Sequence, residues 1–304
     1  MPLTRSSFFG VGGWTISILA AGVVASCGGM RPVGEMALST SSVELRYPAR
    51  REVAVSWTPR RAPSRLEGPL HVFVHLRDAE GTILRTFDHP FPGEWEPGRT
   101  VQYPLPLYQS LLGPSLAPGD YELTVGLYDV AGHRWSLATA APEVARQEYR
   151  VATVSVPPQS FDRRRFQFSR LWGEPVSDGD RQFLGRRWLK GPGGVRVTGI
   201  GGDGVVWMRV HVPAELGPME RLQLDDPAGQ PAVRVSTDCG AGEQYLSGPG
   251  EHEVSLTVAP QGAAASLCRI RFEPNFHVVD LDTRERRALR LDALTWTPLS
   301  RGSS

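Results

Sequence analysis

The sequence predicts an all-β protein made of two β-sandwich domains, an Ig-like sandwich followed by a jelly roll, after a cleaved N-terminal signal helix. Three observations predict this class. The 304 residues include 33 glycines and 26 prolines, which divide the chain by turns. Short runs of alternating apolar and polar residues lie between those turns, as in strands with one buried face. Hydrophobic residues make up 40% of the chain, enough for sizeable cores, and the length favours two domains over one.

The first segment, residues 1–26, has the layout of a secretory signal peptide. A basic residue, Arg5, precedes an apolar run from Phe8 to Val24 that only glycine, serine and threonine interrupt. The run ends in the letters VASC, which resemble the lipobox of bacterial lipoproteins. The resemblance implies that the chain is cut before Cys27 and that this cysteine carries lipid.

Two other interpretations of this segment stay open. A conventional signal peptide would be cut near Ala25, and an uncleaved anchor would use the apolar run to span a membrane. The lipoprotein interpretation predicts a lipid anchor in the bacterial cell envelope. Gly28 follows the cysteine, where lipoproteins retained at the inner membrane often have aspartate. This favours the outer membrane, with the protein facing the periplasm or the surface.

Residues 27–42 are small and polar, which predicts a lipidated flexible tether. The first sandwich is predicted over residues 43–156, because seven strand-like runs separated by turns fit an Ig-like sandwich. Those runs are VELRY, VAVSW, HVFVHL, TILRTF, TVQYPL, YELTVGLYD and RWSLA. Tyr121 stands two residues after a glycine and at the start of a strand, which predicts a tyrosine corner whose hydroxyl bonds to backbone.

Part of this first domain resembles a known module. The letters FVHL, the W-PG pattern and the PG-Y-L-VGLYD pattern resemble a β-sandwich appended to bacterial membrane glycosyltransferases of the mannosyltransferase type. In that family the transfer reaction belongs to a membrane domain with several spans. The resemblance therefore implies a non-catalytic accessory role.

The second sandwich is predicted over residues 157–300, as a jelly roll that begins after the Pro157-Pro158 break. Its start (FSRLWGEP, then RRWL) and its end (FEPN, then DLDTRERRALRLDALTW) resemble a lectin-like jelly roll found beside glycosyltransferases. The resemblance implies carbohydrate binding, with Trp172, Glu174, Arg187 and Trp188 as candidate ligand residues. Matching positions further along the chain are Pro274, Asp282 and Arg284.

Three cysteines are present. If Cys27 is lipidated, Cys239 and Cys268 are left in a compartment where disulfides persist, and we predict that they form a bridge. Closing a loop of this size would stabilise the fold by about 3 kcal/mol. Two buried thiols are the alternative, and no spacing matches a zinc or redox motif.

The charge balance excludes one class of partner. The formal net charge is +1, from 33 basic and 32 acidic residues, so no strong field attracts nucleic acid or anionic lipid. We expect no nucleic-acid partner and no organic cofactor.

Two apparent binding motifs are interpreted as structural. The glycine-rich stretch from Gly199 to Gly204 has the spacing of a dinucleotide-binding loop, but a strand-like run follows it where a helix is needed, so it predicts a hairpin turn. His71 and His75 would share a metal ion on a helix, but they lie about 13 Å apart on a strand. We predict that they are solvent-facing residues flanking Phe73.

The acidic pair Asp280 and Asp282 is the only indication of an enzyme. On a strand the two carboxylates would share a face at about 6 to 7 Å, at the edge of the separation used by inverting glycosidases. With Glu273 the pair would instead form a structural calcium site. Salt bridges to Arg284 and Arg286 are the interpretation we favour.

The basic run Arg163 to Arg165 is followed by Phe166 and Phe168. Arginines and aromatic rings together suit anionic sugars, but alternation alone predicts that both phenylalanines enter the core while the arginines stay in solvent.

Two function classes follow from these features. The first is a non-catalytic envelope lipoprotein whose jelly roll binds polysaccharide or glycolipid. The second is a structural or adaptor lipoprotein that contacts envelope proteins. A glycoside hydrolase is third, because the sequence has no serine elbow, metal-ligand cluster or phosphate loop. An exposed face of aromatic rings would favour the first class, and burial of the tryptophans would favour the second.

Overall fold

The computed structural model describes residues 31–176, 184–198, 202–213, 217–226, 229–259 and 267–299. Within these ranges every regular element is a strand, apart from the 3-10 helix Arg163–Arg165. The predicted all-β class is therefore confirmed. The predicted signal peptide and Cys27 lie outside the described residues, as do Gly199 to Gly201 of the glycine-rich stretch. Among the helices of the described ranges, none has the length and apolar character that a membrane span requires.

The first half of the chain forms a sandwich of two sheets. Its strands are β1 Gly34–Leu38, β2 Ser42–Glu44, β3 Arg50–Pro59, β4 His71–Arg77, β5 Ile83–Thr86, β6 His89–Pro90, β7 Val101–Tyr108, β8 Gly119–Tyr128, β9 Arg134–Trp135, β10 Leu137–Ala138, β11 Glu143–Ala145 and β12 Glu148–Val156. Sheet A has the order β10-β1-β3-β7. Sheet B has the order β11-β12-β8-β4-β5, with β2 beside β12, β6 beside β4 and β9 beside β8.

The first core lies between sheets A and B and follows from alternation. On β3 the side chains of Val53, Val55 and Trp57 point inward and are buried, as the period of two in the sequence predicts. They pack in one cluster with inward residues of sheet B, such as Leu123 and Val154. Burial of these branched and aromatic side chains holds the two sheets face to face.

The predicted start of the first domain is too late. Residues 34–38 fall within the predicted tether, yet they form β1, which pairs with β3 and β10. Val33 and Met36 are buried in the first core. These two apolar side chains anchor a segment whose composition is otherwise mostly small and polar.

The tyrosine corner is confirmed. Tyr121 is buried, and its hydroxyl donates a hydrogen bond to the carbonyl oxygen of Ala117 at 2.7 Å. The bond fixes the loop that leads into β8.

The second half of the chain forms another sandwich and a small third sheet. Its strands are β13 Phe166–Phe168, β14 Arg187–Leu189, β15 Gly193–Thr198, β16 Gly204–Val212, β17 Glu220–Leu224, β18 Ala232–Thr237, β19 Glu243–Ser247, β20 Gly250–Val258, β21 Leu267–Pro274, β22 Phe276–Asp280, β23 Arg286–Arg287 and β24 Leu289–Pro298. Sheet C has the order β13-β15-β21-β18-β19 and sheet D the order β14-β24-β16-β20. Sheet E has the order β17-β22-β23.

Sheets C and D enclose the second core, and β21 shows the alternation most clearly. Cys268, Ile270 and Phe272 point inward and are fully buried, whereas Arg269 and Arg271 between them are exposed. The predicted disulfide is confirmed: Cys239, just after β18, bonds to Cys268 with 5.4 Å between the Cα atoms. The bridge ties two segments of sheet C that are 29 residues apart in sequence.

The two cores share side chains. Trp207 of β16 is buried in the first core, and Tyr47 and Leu111 from the first half are buried in the second. Backbone bonds cross the same junction, with the Leu111 N–H donating to the Leu294 carbonyl at 2.7 Å. The chain from Pro32 to Ser304 accordingly forms one compact unit.

Candidate functional site

The predicted ligand residues do not form one surface. Trp172 is only 6% exposed and packs edge-on against the ring of Phe272, with 5.4 Å between ring centroids. Its indole N–H donates to the Gly194 carbonyl at 3.1 Å. Trp172 therefore helps to build the second core and is not available to stack on a sugar.

Trp188 lies on β14 of sheet D and is half-buried. It points away from the core, because its neighbour Leu189 points inward. The guanidinium carbons of Arg287 and Arg290 each lie 5.6 Å from its ring centroid. Trp188 is therefore a half-buried ring with two cation–π partners rather than a fully exposed aromatic platform.

The other two predicted residues lie near these tryptophans. Arg187 stacks on Phe168, with 4.8 Å from the guanidinium carbon to the ring centroid, and donates to the Gly173 carbonyl at 2.9 Å. Glu174 is exposed at the surface. Phe166 is buried and Phe168 half-buried against the second core, as alternation predicts.

The predicted strand pair Asp280 and Asp282 is wrong, because β22 ends at Asp280 and Asp282 lies in the turn that follows. The Asp280 carboxylate accepts backbone N–H bonds from Thr283 at 2.9 Å and from Asp282 at 3.0 Å. The bond from Thr283 is the main reason that the pKa of Asp280 lies below its ordinary value. Asp280 thus stabilises a turn, and its nearest cation is Arg287 at 4.0 Å.

Glu273, the third calcium candidate, lies on the outer face of sheet C and is bound to Arg234 at 3.1 Å. A carboxylate committed to a guanidinium in this way is a poor calcium ligand. Within the described ranges no three His, Cys, Asp or Glu residues are grouped as a metal site requires.

The histidines of β4 behave differently from the prediction. His71 is half-buried, but His75 is buried, because both faces of β4 are covered. The Nδ1 atom of His75 lies 3.3 Å from the Glu148 Oε1 atom. The same oxygen accepts bonds from the Thr124 hydroxyl at 2.6 Å and from Arg77 at 3.2 Å.

This buried polar network shifts two pKa values. Burial alone would raise the pKa of Glu148, but the bonds from His75 and Thr124 and the charge of Arg77 lower it to about 2. Burial alone would lower the pKa of His75, but its contacts with Asp88 and Glu148 raise it above the ordinary value. The members pair with one another, so we interpret the network as a structural element of sheet B.

A groove of about 560 Å³ lies on sheet C, where β13, β15 and β21 run side by side. Gly193 and Gly194 form part of its lining, and their lack of side chains leaves a depression in the sheet. A Cβ atom at Gly194 would meet the Ile270 carbonyl oxygen at 2.5 Å, so the backbone here excludes larger residues. The groove is the candidate functional site, and we call it the arginine groove.

The arginine groove is strongly basic. Its lining includes four arginines and one acidic residue, Glu273; the arginines are Arg170, Arg196, Arg269 and Arg271. Gln167 and Ser169 add neutral polar groups. No motif in the sequence predicts this site, although the arginines in VRV and CRIRF and the adjacent glycine pair are signals of it.

No protein-family profile matches the chain, and no curated protein matches it. A solved structure of β-glucuronidase 2 from Bacteroides uniformis is 11% identical over 88% of this chain, with a TM-score of 0.25. This chain spans only 30% of that enzyme.

Two further solved structures show likenesses of the same low degree. The protein pT26-6p is 9% identical over 88% of this chain and 65% of its own, with a TM-score of 0.21. A chain of the chaperone–tip adhesin complex of CFA/I fimbriae biogenesis is 10% identical over 89% of this chain and 81% of its own, with a TM-score of 0.19. Overlaps with TM-scores this low say nothing about the activity or ligand of this chain.

Proposed function

We propose that this protein is a non-catalytic lipoprotein of the bacterial cell envelope, anchored by lipid on Cys27, and that its arginine groove binds a polysaccharide or glycolipid. The observation that carries the proposal is the groove itself. It is open and shallow, and side-chain amide, hydroxyl and guanidinium groups line it. Such groups form the hydrogen bonds that saccharide hydroxyls need.

The groove differs from an aromatic sugar-binding platform. Its two aromatic residues are Phe168, which is half-buried, and Phe272, which is fully buried. Binding would therefore depend on polar contacts along β13, β15 and β21, and we expect it to be sensitive to any side chain that fills the depression.

Filling the groove tests this proposal. Gln167 is exposed on β13, opposite Arg196 on β15. We expect Gln167→Tyr to weaken saccharide binding about tenfold or more, because the ring would occupy the space of the ligand. Isothermal titration after a glycan-array screen measures the effect, using the chain from Gly28, which contains the whole compact unit.

The matched control for that variant is Gln102→Tyr, an exposed position on β7 of the first sandwich. It should bind like the unmodified chain. Equal loss of binding in both variants, or no binding of any envelope glycan by the unmodified chain, would contradict the proposal.

The lipid anchor has its own test. In a bacterial host we expect mass spectrometry of the N-terminal peptide to show Cys27 as the first residue, carrying diacylglycerol and an N-acyl chain. We expect Cys27→Ser to lose the lipid and leave the membrane fraction, whereas Ser26→Ala, which keeps a small residue before the cut, should be processed normally. A free Cys27 thiol in the membrane-bound wild-type protein would refute the anchor.

One observation favours the adaptor role as the second candidate. Five tryptophans, Trp57, Trp135, Trp172, Trp207 and Trp296, are buried in the described structure. None of these five rings can stack on a sugar, and an exposed ring such as Tyr245 is of the kind enriched in protein interfaces. Absence of saccharide binding would therefore shift the proposal to an envelope adaptor.

A further inference from the structure

We infer that the arginine groove selects acidic saccharides, and that Arg196 and Arg269 hold one anionic group of the ligand between them. This inference rests on the proposed function and adds the chemical class of the ligand. It follows from strand register, from the charges on the outer face of sheet C and from the geometry of the guanidinium group.

The register of sheet C brings the two arginines together. Arg196 on β15 is directly opposite Arg269 on β21, and both side chains are exposed on the outer face. Residues opposite each other on neighbouring strands have Cβ atoms about 5 Å apart. Two flexible guanidinium groups at that spacing can both reach one anion.

Arg196 and Arg269 differ in their ion pairs from the other arginines on the outer face of sheet C. Arg234 on β18 is bonded to Glu243 at 2.7 Å and to Glu273 at 3.1 Å, and Arg271 lies 3.5 Å from Asp238. In the described part of the chain, by contrast, neither the Arg196 nor the Arg269 guanidinium group has a carboxylate within salt-bridge distance, although the Arg269 backbone N–H donates to the Asp238 carboxylate at 2.7 Å. Like charges directly opposite each other on a sheet are destabilising. The repulsion between Arg196 and Arg269 therefore lowers the stability of sheet C, whereas Arg234 and Arg271 are paired with carboxylates.

An anionic ligand group would remove that repulsion. A guanidinium group presents parallel N–H donors that match the two oxygens of a carboxylate or phosphate, and the charge strengthens each bond. Arg170 at the end of the groove supplies a third cation without a carboxylate partner among the described residues. The site therefore suits a saccharide with repeated acidic groups, as carboxylates or as phosphate substituents.

Nucleic acid fits the groove less well. The chain carries a net charge of only +1, so the positive potential is confined to the groove. Neither aromatic residue of the lining offers a free ring on which a base would stack.

The test compares ligands that differ only in charge. The chain from Gly28 is titrated with an oligogalacturonide and with the same oligosaccharide after methyl esterification, which removes the carboxylate charges. A phosphate-substituted oligosaccharide distinguishes the two sources of acidic groups. We expect the acidic forms to bind at least about tenfold more tightly than the ester, and raised salt to weaken them.

Single substitutions show which arginines cause the higher affinity for acidic ligands. Arg196→Gln and Arg269→Gln should each weaken acidic ligands about tenfold while leaving the weak binding of the ester unchanged. The control Arg46→Gln makes the same change of charge in the first sandwich, where Arg46 is exposed and paired with Glu44 at 2.7 Å, and it should keep full affinity. Thermal unfolding of each variant confirms that the fold is intact.

The outcomes separate the two proposals. Equal binding of ester and acid, lost in Gln167→Tyr, would overturn the acidic selectivity and leave saccharide binding in place. No binding of any saccharide would overturn both. Tighter binding of an oligonucleotide or of anionic phospholipid vesicles through the same two arginines would overturn the assignment of the ligand to saccharides.

Discussion

Trp207→Ala is expected to lower the free energy of unfolding by about 4 kcal/mol, the cost typical of removing a large aromatic ring from a core. Trp207 is 3% exposed, although it belongs to the second half of the chain, because it enters the first core. Its ring centroid lies 5.1 Å from that of Tyr108 and 4.9 Å from the Arg50 guanidinium carbon. Urea denaturation followed by circular dichroism measures the change.

The same variant should also separate the two sandwiches. The unmodified chain is expected to unfold in one cooperative transition, because the two cores share side chains. Losing the ring at the junction should split this transition into two. Trp207→Phe is the control, since it keeps most of the buried area and should retain the single transition. If the Trp207→Ala protein were as stable as the unmodified chain, the Trp207 ring would not stabilise the junction between the two sandwiches.

Glu148→Gln is expected to lower the free energy of unfolding at pH 7 by about 3 kcal/mol. The substitution removes a carboxylate whose pKa is lowered from 4.5 to about 2 in the folded protein, and this difference in pKa measures how strongly the fold stabilises the charge. The glutamine would leave His75 and Arg77 facing a neutral amide in a buried site. Removing one partner of a buried ion pair costs several kcal/mol for this reason. Chemical denaturation at pH 7 measures the loss.

The pH dependence of the stability lost in Glu148→Gln follows from the direction in which the pKa of Glu148 is shifted. The folded pKa of Glu148 lies below its unfolded value, so its stabilising effect is complete above pH 4.5 and disappears as the pH falls through about 2. The difference between the two proteins should therefore shrink steadily in this window. His75 acts in the opposite direction: its raised pKa contributes stability at acid pH that is lost as the pH rises above its ordinary value.

The control for Glu148 is Glu122→Gln on neighbouring β8. Glu122 pairs with Arg150 at 2.7 Å, but the Arg150 side chain is 47% exposed and that of Glu122 32%, and solvent-accessible pairs contribute under about 1 kcal/mol. If Glu148→Gln were as mild as Glu122→Gln, the buried network would not stabilise sheet B as its geometry indicates.

Alternation in the sequence predicts the strands with one covered face. The runs that became β3 and β21 have a strict inside-outside pattern, whereas three consecutive residues of β16, Val206 to Met208, are all buried. Strand β1 was not predicted, because its run is short and rich in small residues. Strand β12 was not predicted either, although Ala152, Val154 and Val156 alternate inward there.

The cysteine bridge and the tyrosine corner were also predictable, because each depends on residue type and local spacing. His75 was not, because a period of two implies one solvent-facing side of β4. The structure covers both sides, and the partners Thr124 and Glu148 come from distant strands.

The candidate site likewise has features that a sequence pattern predicts and features that depend on strand pairing. Trp172 and Trp188 are close in sequence and match a pattern, but one points into the core and the other points out of sheet D. Arg196 and Arg269 are far apart in sequence and belong to no motif, yet they are neighbours across two strands.

The sequence alone determined the all-β class, most of the strands and the Cys239–Cys268 bridge, because these follow from local alternation, turn residues and cysteine arithmetic. Only the tertiary structure decided that Trp207 enters the first core, that Glu148 is buried among cationic and polar partners, and that Arg196 and Arg269 lie opposite each other on β15 and β21. These features depend on which strands pair and in what register. Register is set by contacts between distant segments, and no single stretch of sequence contains it.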